Sequence, residues 1–307
     1  MHQRNRTISK FFLLGLTVGP EHQKLIFMLF ICMYLVTMVG NLLIILAIIN
    51  DAYLHSPMYF FLANLSFTDI CFTTTTIPKM LADIQMHCFS THPYLSYPGC
   101  LTQMSVSLVL ATAECLLLAV MAYDHMAAIS NPLRYSVIMN APVCVWLATT
   151  LWGESLVLTA MLVLSLQLHF YGVNIINHFV CEILSLLKLA CSDTNLNELM
   201  ISTTVIGIFT LPLPFTFILI SYTHIVVAML RIHCAEARLK TFSTCGSHLT
   251  VVTIFYGTAI YMYLKPQSRE SQGQGEVISF YGIVTPMLNP LIYTFRNKDV
   301  KNALREM

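Results

Sequence analysis

The stretch Met121-Ala122-Tyr123-Asp124-His125-Met126-Ala127-Ala128-Ile129-Ser130-Asn131-Pro132-Leu133 brings an apolar run to a stop at an acid and continues as a polar turn. Residues 101–121 ahead of it form an apolar segment of about 20 residues, the length that crosses about 30 Å of hydrocarbon at about 1.5 Å per residue. The reading is a membrane helix over residues 99–121 with Asp124 at its cytoplasmic boundary.

Composition generalises that reading to the whole chain. Of 307 residues, 56% are hydrophobic and 10% charged, whereas a soluble domain carries about 25% charge. An all-α, polytopic membrane protein is implied. A net charge of +1 and a pI of 7.6, with no basic run, argue against a nucleic-acid partner. Residues 1–10 are polar and basic without an apolar core, so the first span is expected to serve as an uncleaved anchor.

Outward from the opening stretch, apolar segments mark spans at about residues 25–49, 57–83, 99–121, 141–166, 199–230, 242–263 and 277–295. The expected organisation is a tail over 1–24, a seven-helix domain over 25–295 and a cytoplasmic segment over 296–307. Residues 169–197 form a long, cysteine-bearing connection that reads as a folded loop. Residues 297–306 alternate charged and apolar side chains as a short interfacial helix on the membrane lipid does. The 16 Lys and Arg divide evenly between the two sides of this topology, and favour an external N-terminus only when the tail is set aside. The sequon Asn5-Arg6-Thr7 is usable for glycosylation only in that orientation.

The order of short motifs along the chain is similar to that of olfactory receptors. It includes Gly40-Asn41, Pro57-Met58-Tyr59-Phe60-Phe61-Leu62 leading to Asp69, Pro98-Gly99-Cys100-Leu101-Thr102-Gln103, and Ser221-Tyr222. It continues in the run from Lys240 to Leu249 (KTFSTCGSHL) and in the run from Pro286 to Tyr293 (PMLNPLIY). The opening stretch resembles the family's MAYDRYVAICxPL, but His125 and Met126 stand where the family has Arg and Tyr. The resemblance implies a rhodopsin-like bundle at the plasma membrane. Such a receptor binds a small volatile odorant in its outer half and activates a heterotrimeric stimulatory G protein to raise cyclic AMP. It further implies coupling and activation roles for Asp124, His125, Tyr222, Lys240, Asn289, Pro290 and Tyr293, and a disulfide between Cys100 and Cys181. Tyr171 occupies the place of one partner of a second loop bridge, leaving Cys191 either joined to Cys88 or free. Cys32, Cys71, Cys115, Cys144 and Cys245, which lie in the spans, read as small apolar fillers.

Physical reading of the residues adds three points. Asp69 and Glu114 are acids inside spans, where an ionisable group needs water, an ion or a polar partner. With Asn41 and Asn289 they form either a hydrated pocket, which in relatives of this fold holds sodium, or a hydrogen-bonded carboxyl cluster that joins helices. Glu154 has no place in the family pattern and is expected to face a neighbouring helix. Pro212, Pro214, Pro290 and Gly257 are expected points of flexure.

Depth along the helices nominates Ser107, Leu108, Ala111 and Thr112, Ile206 and Thr210, and Phe255, Tyr256, Ala259, Ile260 and Tyr263 as ligand-facing. That set suits a neutral, mostly apolar molecule with one hydrogen-bonding group. Residues 277–295 contain no lysine for a Schiff base, which excludes a photoreceptor. The loops are too short for a catalytic domain, so no enzyme is expected. The alternatives are a receptor that binds but scarcely signals, suggested by His125, and a small-molecule transporter, disfavoured by the odd span count and the lack of an inverted repeat.

Overall fold

The computed structural model describes residues 10–13, 20–88, 94–165, 175–176, 181, 207, 210–231, 235–264, 274–296 and 298–306. Asn5, Tyr171, Cys191 and Ile206 lie outside them, as do the side chains of Cys88, Lys240 and Tyr263.

Seven long helices, α1 (Pro20–Asn50), α2 (Pro57–Cys88), α3 (Tyr97–Ser130), α4 (Ala141–Ser165), α5 (Pro212–Leu230), α6 (Ala235–Leu264) and α7 (Gln274–Arg296), precede a short α8 (Lys298–Glu306). Within α1, α3, α4 and α5 lie segments long and apolar enough to cross a membrane. With α2, α6 and α7 they form a seven-transmembrane helix bundle. Helix α3 packs against α2, α4, α5 and α6, while α7 closes the other side on α1, α2 and α6. The core around α3 contains Phe61, Leu65, Leu117, Leu118 and Met121, each nearly inaccessible. A smaller cluster of Phe30, Met33, Ile77, Met80 and Ile84 joins α1 to α2.

Several boundaries differ from the sequence expectation. Helix α3 does not stop near Asp124. It runs two turns further, because Ala127 and Ala128 favour helix, and ends where Pro132 forces Asn131 out of helical geometry at φ −134°. Helix α2 extends to Cys88, past Asp83, which Lys79 neutralises one turn away. The described part of α5 begins at Pro212, its first residue, with Leu211 a turn between it and the helical Thr210. Pro212 and Pro214 thus sit in a first turn, where a missing N–H costs little.

Gly40 serves a close approach. A Cβ there would lie 3.0 Å from the Pro290 ring, so glycine lets α1 meet α7 at that level without the ring giving way. Pro290 has no N–H to offer the carbonyl of Pro286 four residues earlier, and the Asn41 amide one residue on from Gly40 donates to it, at 3.2 Å. Helix α8 packs on α1 and α7 and buries Val300 and Ala303.

The tail expected over residues 1–24 contains a strand, β1 (Lys10–Leu13), and α1 already starts at Pro20. Strand β1 pairs antiparallel with β2 (Tyr94–Ser96) and parallel with β3 (Ile175–Ile176). Beside β2, Cys100 at the start of α3 is disulfide-bonded to Cys181, with Cα atoms 5.4 Å apart. The Cys181 amide N–H donates to Gln103 Oε1, and Gln103 Nε2 donates to the Thr75 carbonyl of α2, both within 3.4 Å. The five span cysteines are free.

Removing a disulfide that closes so long a loop costs about 2–5 kcal/mol. Cys100→Ala and Cys181→Ala are each expected to abolish surface expression, measured by flow cytometry, whereas Cys191→Ser is expected to retain it. Equal loss from all three would show a second essential bridge.

Candidate functional site

Two buried polar layers lie along α3, one near its middle and one near its C-terminal end. In the middle layer Asn41, Asp69, Glu114 and Asn289, from α1, α2, α3 and α7, are each at most 5% exposed. Asn289 Nδ2 donates to both Asp69 carboxyl oxygens, at 3.0 and 3.3 Å. The expected convergence of the four is thus present in part as direct bonds, with Asn289 joined to Asp69 and Asn41 committed to Thr37 and Pro286 carbonyls. Tyr293 is in electrostatic reach of both acids. Asn41 Oδ1, Glu114 Oε1 and the Tyr293 hydroxyl are buried without a protein partner, so the hydrogen bonds among these residues leave polar atoms unpaired.

In the second layer, Asp124 and His125 part company. The Asp124 carboxylate, 2% exposed, accepts from the Tyr135 hydroxyl at 2.7 Å. Tyr135 belongs to the turn Tyr135–Ile138 that follows α3. Burial, reinforced by the Asp124 charge, pushes the Tyr135 phenol far up, so it remains a donor throughout the physiological range. His125 is 6% exposed and sets its ring edge-on to His248 of α6, with centroids 5.3 Å apart.

His248 is the hub of this layer. Its Nε2 lies 3.1 Å from the Leu118 carbonyl of α3 and its Nδ1 2.8 Å from the Tyr222 hydroxyl of α5. A carbonyl can only accept, so Nε2 carries the proton and neutral His248 accepts the Tyr222 O–H at Nδ1. The same hydroxyl lies 3.2 Å from the Cys245 carbonyl, an alternative acceptor once Nδ1 is occupied. One imidazole therefore ties α3, α5 and α6 together. The sequence reading included His248 in a motif and gave it no role; the available signal was an ionisable residue inside an apolar span. Tyr135 left no such signal, since its partner is reached only through the turn after α3.

The expected ligand-facing residues are less gathered. Ser107, Leu108, Ala111 and Thr210 are half-buried, and Thr112, Tyr256 and Ala259 are buried. Ser107 Oγ has no protein partner. The Tyr256 hydroxyl is likewise buried without a protein partner, and its ring lies 4.8 Å from that of Phe215. Ile260 is 44% exposed. Of the coupling residues, Tyr222 is half-buried and Asn289, Pro290 and Tyr293 are buried.

The olfactory receptor family profile matches residues 30–307. This chain belongs to the olfactory receptor family. It is 61% identical to human olfactory receptor 13H1 over 98% of this chain and 96% of that protein. It is 49% identical to human olfactory receptor 13D1 over 100% and 88%, and 48% identical to mouse olfactory receptor 1E16 over 100% and 97%. It is thus an odorant-sensing G-protein-coupled receptor, a multi-pass membrane protein and not an enzyme.

Two outcomes follow from the layers. His248→Leu removes a buried hydrogen bond between α3 and α6, worth about 1 kcal/mol or a fivefold shift toward separation; receptor activity without agonist is expected to rise severalfold at matched surface expression. Asp69→Asn and Glu114→Gln should be non-additive in thermal unfolding of the purified receptor. Additivity within about 0.5 kcal/mol would show that the two acids are uncoupled.

Proposed function

We propose that this receptor resides in the plasma membrane with its sheet and disulfide outside, and binds a small, neutral, mostly apolar volatile among α3, α5 and α6. On binding it activates a stimulatory G protein at the Asp124 end and raises cyclic AMP. The observation that carries this reading is the His248 hub, because it holds closed the junction of α3, α5 and α6 at the end opposite the disulfide, where a partner would enter. The half-buried Ser107, with its unpartnered hydroxyl, and the buried Thr112 supply the single hydrogen bond such a ligand would use.

Sodium fits the middle layer by donor chemistry. The Asp69 and Glu114 carboxyls, the latter with Oε1 unpartnered, and the orphaned Asn41 Oδ1 are hard oxygen ligands for a small cation. Asp69, Glu114 and Asn41 would hold it, and it would supply charge compensation for the paired acids. Lys240 and Arg238 would add positive charge to the G-protein face.

His125 makes the coupling weak. In the family's pattern an Arg follows the acid and pairs with it at rest; here Asp124 is bonded to Tyr135 and His125 is packed on His248. An arginine has five fixed donors and a permanent charge; a histidine is shorter and mostly neutral at cytosolic pH. Lost contact to the G protein outweighs the lost resting pair, since Asp124 keeps a resting partner in the Tyr135 hydroxyl. The test is a panel of volatiles against a cyclic AMP reporter with surface expression measured in parallel. Low maximal responses are expected, rising severalfold in His125→Arg. An unchanged maximum would show that coupling runs through another contact, and substrate flux without cyclic AMP would favour a transporter.

A further inference from the structure

Glu154 does not face a neighbouring helix. The inward side of α4 is defined by Cys144, Ala148, Leu151, Ser155, Thr159 and Leu162, all buried, and Trp152 fixes the rotation by donating its Nε1–H to Asn64 Oδ1 of α2, at 3.3 Å. On that rotation Glu154 is exposed, together with Thr150, Gly153 and Val157. A Cβ added at Gly153 would meet nothing within 4 Å. Glu154 sits at the middle of the 25-residue α4, so it presents a carboxyl to hydrocarbon near the centre of the bilayer, where lipid offers neither donor nor acceptor.

No described residue of this chain is bonded to Glu154, so its partner is sought outside the chain. Headgroups lie about 15 Å away along the membrane normal, beyond the reach of a glutamate side chain. Another copy's exposed His224 is at the wrong depth. It lies about 9 Å from the end of α5 nearest Asp124, whereas Glu154 lies about 20 Å from the α4 end on the same side, at about 1.5 Å per residue. A pair of carboxyls holding a proton between them is donor and acceptor at once, hence self-complementary. A two-fold axis brings like groups together, and a small residue at the crossing allows the backbones to approach.

We propose that the outward face of α4 is a homodimer contact in which Glu154 of one copy hydrogen-bonds Glu154 of a second copy, with the helices crossing at Gly153. Thr150, one turn before Glu154, extends the polar contact.

The test uses the full-length receptor, labelled with donor and acceptor fluorophores and reconstituted alone in phosphatidylcholine vesicles, with resonance energy transfer in cells at matched surface density alongside. The associated fraction is expected to fall severalfold in Glu154→Leu and Gly153→Leu and to persist in Glu154→Gln, whose carboxamide is also donor and acceptor. Val157→Cys is expected to cross-link copies on oxidation above the wild-type level, and Leu219→Cys, on the exposed face of α5, is not. Because Glu154→Leu places an apolar side chain against lipid, its thermal stability should match or exceed the wild type, separating lost contact from misfolding. Wild-type association in Glu154→Leu would overturn the proposal, as would equal loss in Glu154→Gln. A receptor that is monomeric in vesicles while energy transfer in cells still depends on Glu154 would also overturn it, in favour of a different membrane protein as the occupant.

Discussion

Inside hydrocarbon a polar group finds no partner in lipid, and the specific contacts of this bundle follow from that constraint. Pro290 leaves the Pro286 carbonyl without its helical donor, and Asn41 supplies one from α1 at the level where Gly40 lets the helices meet. The run Thr73 to Thr76 satisfies each hydroxyl on the carbonyl four residues back, so four polar side chains cross the membrane in α2 without demanding other helices. Where local solutions run out, between Asp69 and Asn289 or between His248 and Leu118, the helices themselves are tied.

These ties are concentrated on α3, whose central position makes it the common partner of α2, α4, α5 and α6. The disulfide and Gln103 anchor its first turns and the His248 hub its last third, while the acid layer beside Glu114 ties α2 to α7. The two layers differ in completeness. The hub satisfies both nitrogens of His248, as a closed latch should, whereas the acid layer leaves buried oxygens unpartnered, the condition under which water or an ion completes a site.

At the hub the departure from the family pattern acquires a physical meaning. An arginine beside His248 would place a permanent charge against the imidazole and reach toward Asp124. The shorter His125 instead packs its ring on His248 and leaves Asp124 to Tyr135. The closed arrangement is thus built from neutral groups and ring packing, and the cationic arm that would engage a partner is missing from it.

The sequence by itself determined the membrane class, the approximate spans and the family, because hydrocarbon thickness sets segment length and apolar composition is legible without a fold. It also singled out Asp69, Glu114, Asn41 and Asn289, since polar residues inside apolar runs are conspicuous. Tertiary structure alone decided what they touch. A linear pattern does not give helix rotation, so Glu154 was assigned inward although α4 turns it outward, and His248 passed as part of a motif although three helices meet on it. The end of α3 escaped for a local reason, a polar sequence after Asp124 that still favours helix until Pro132. Strand β1 escaped for a distant one, because its partners lie in connections about 80 and 160 residues away, and strand pairing over such separations leaves no periodic trace in four residues.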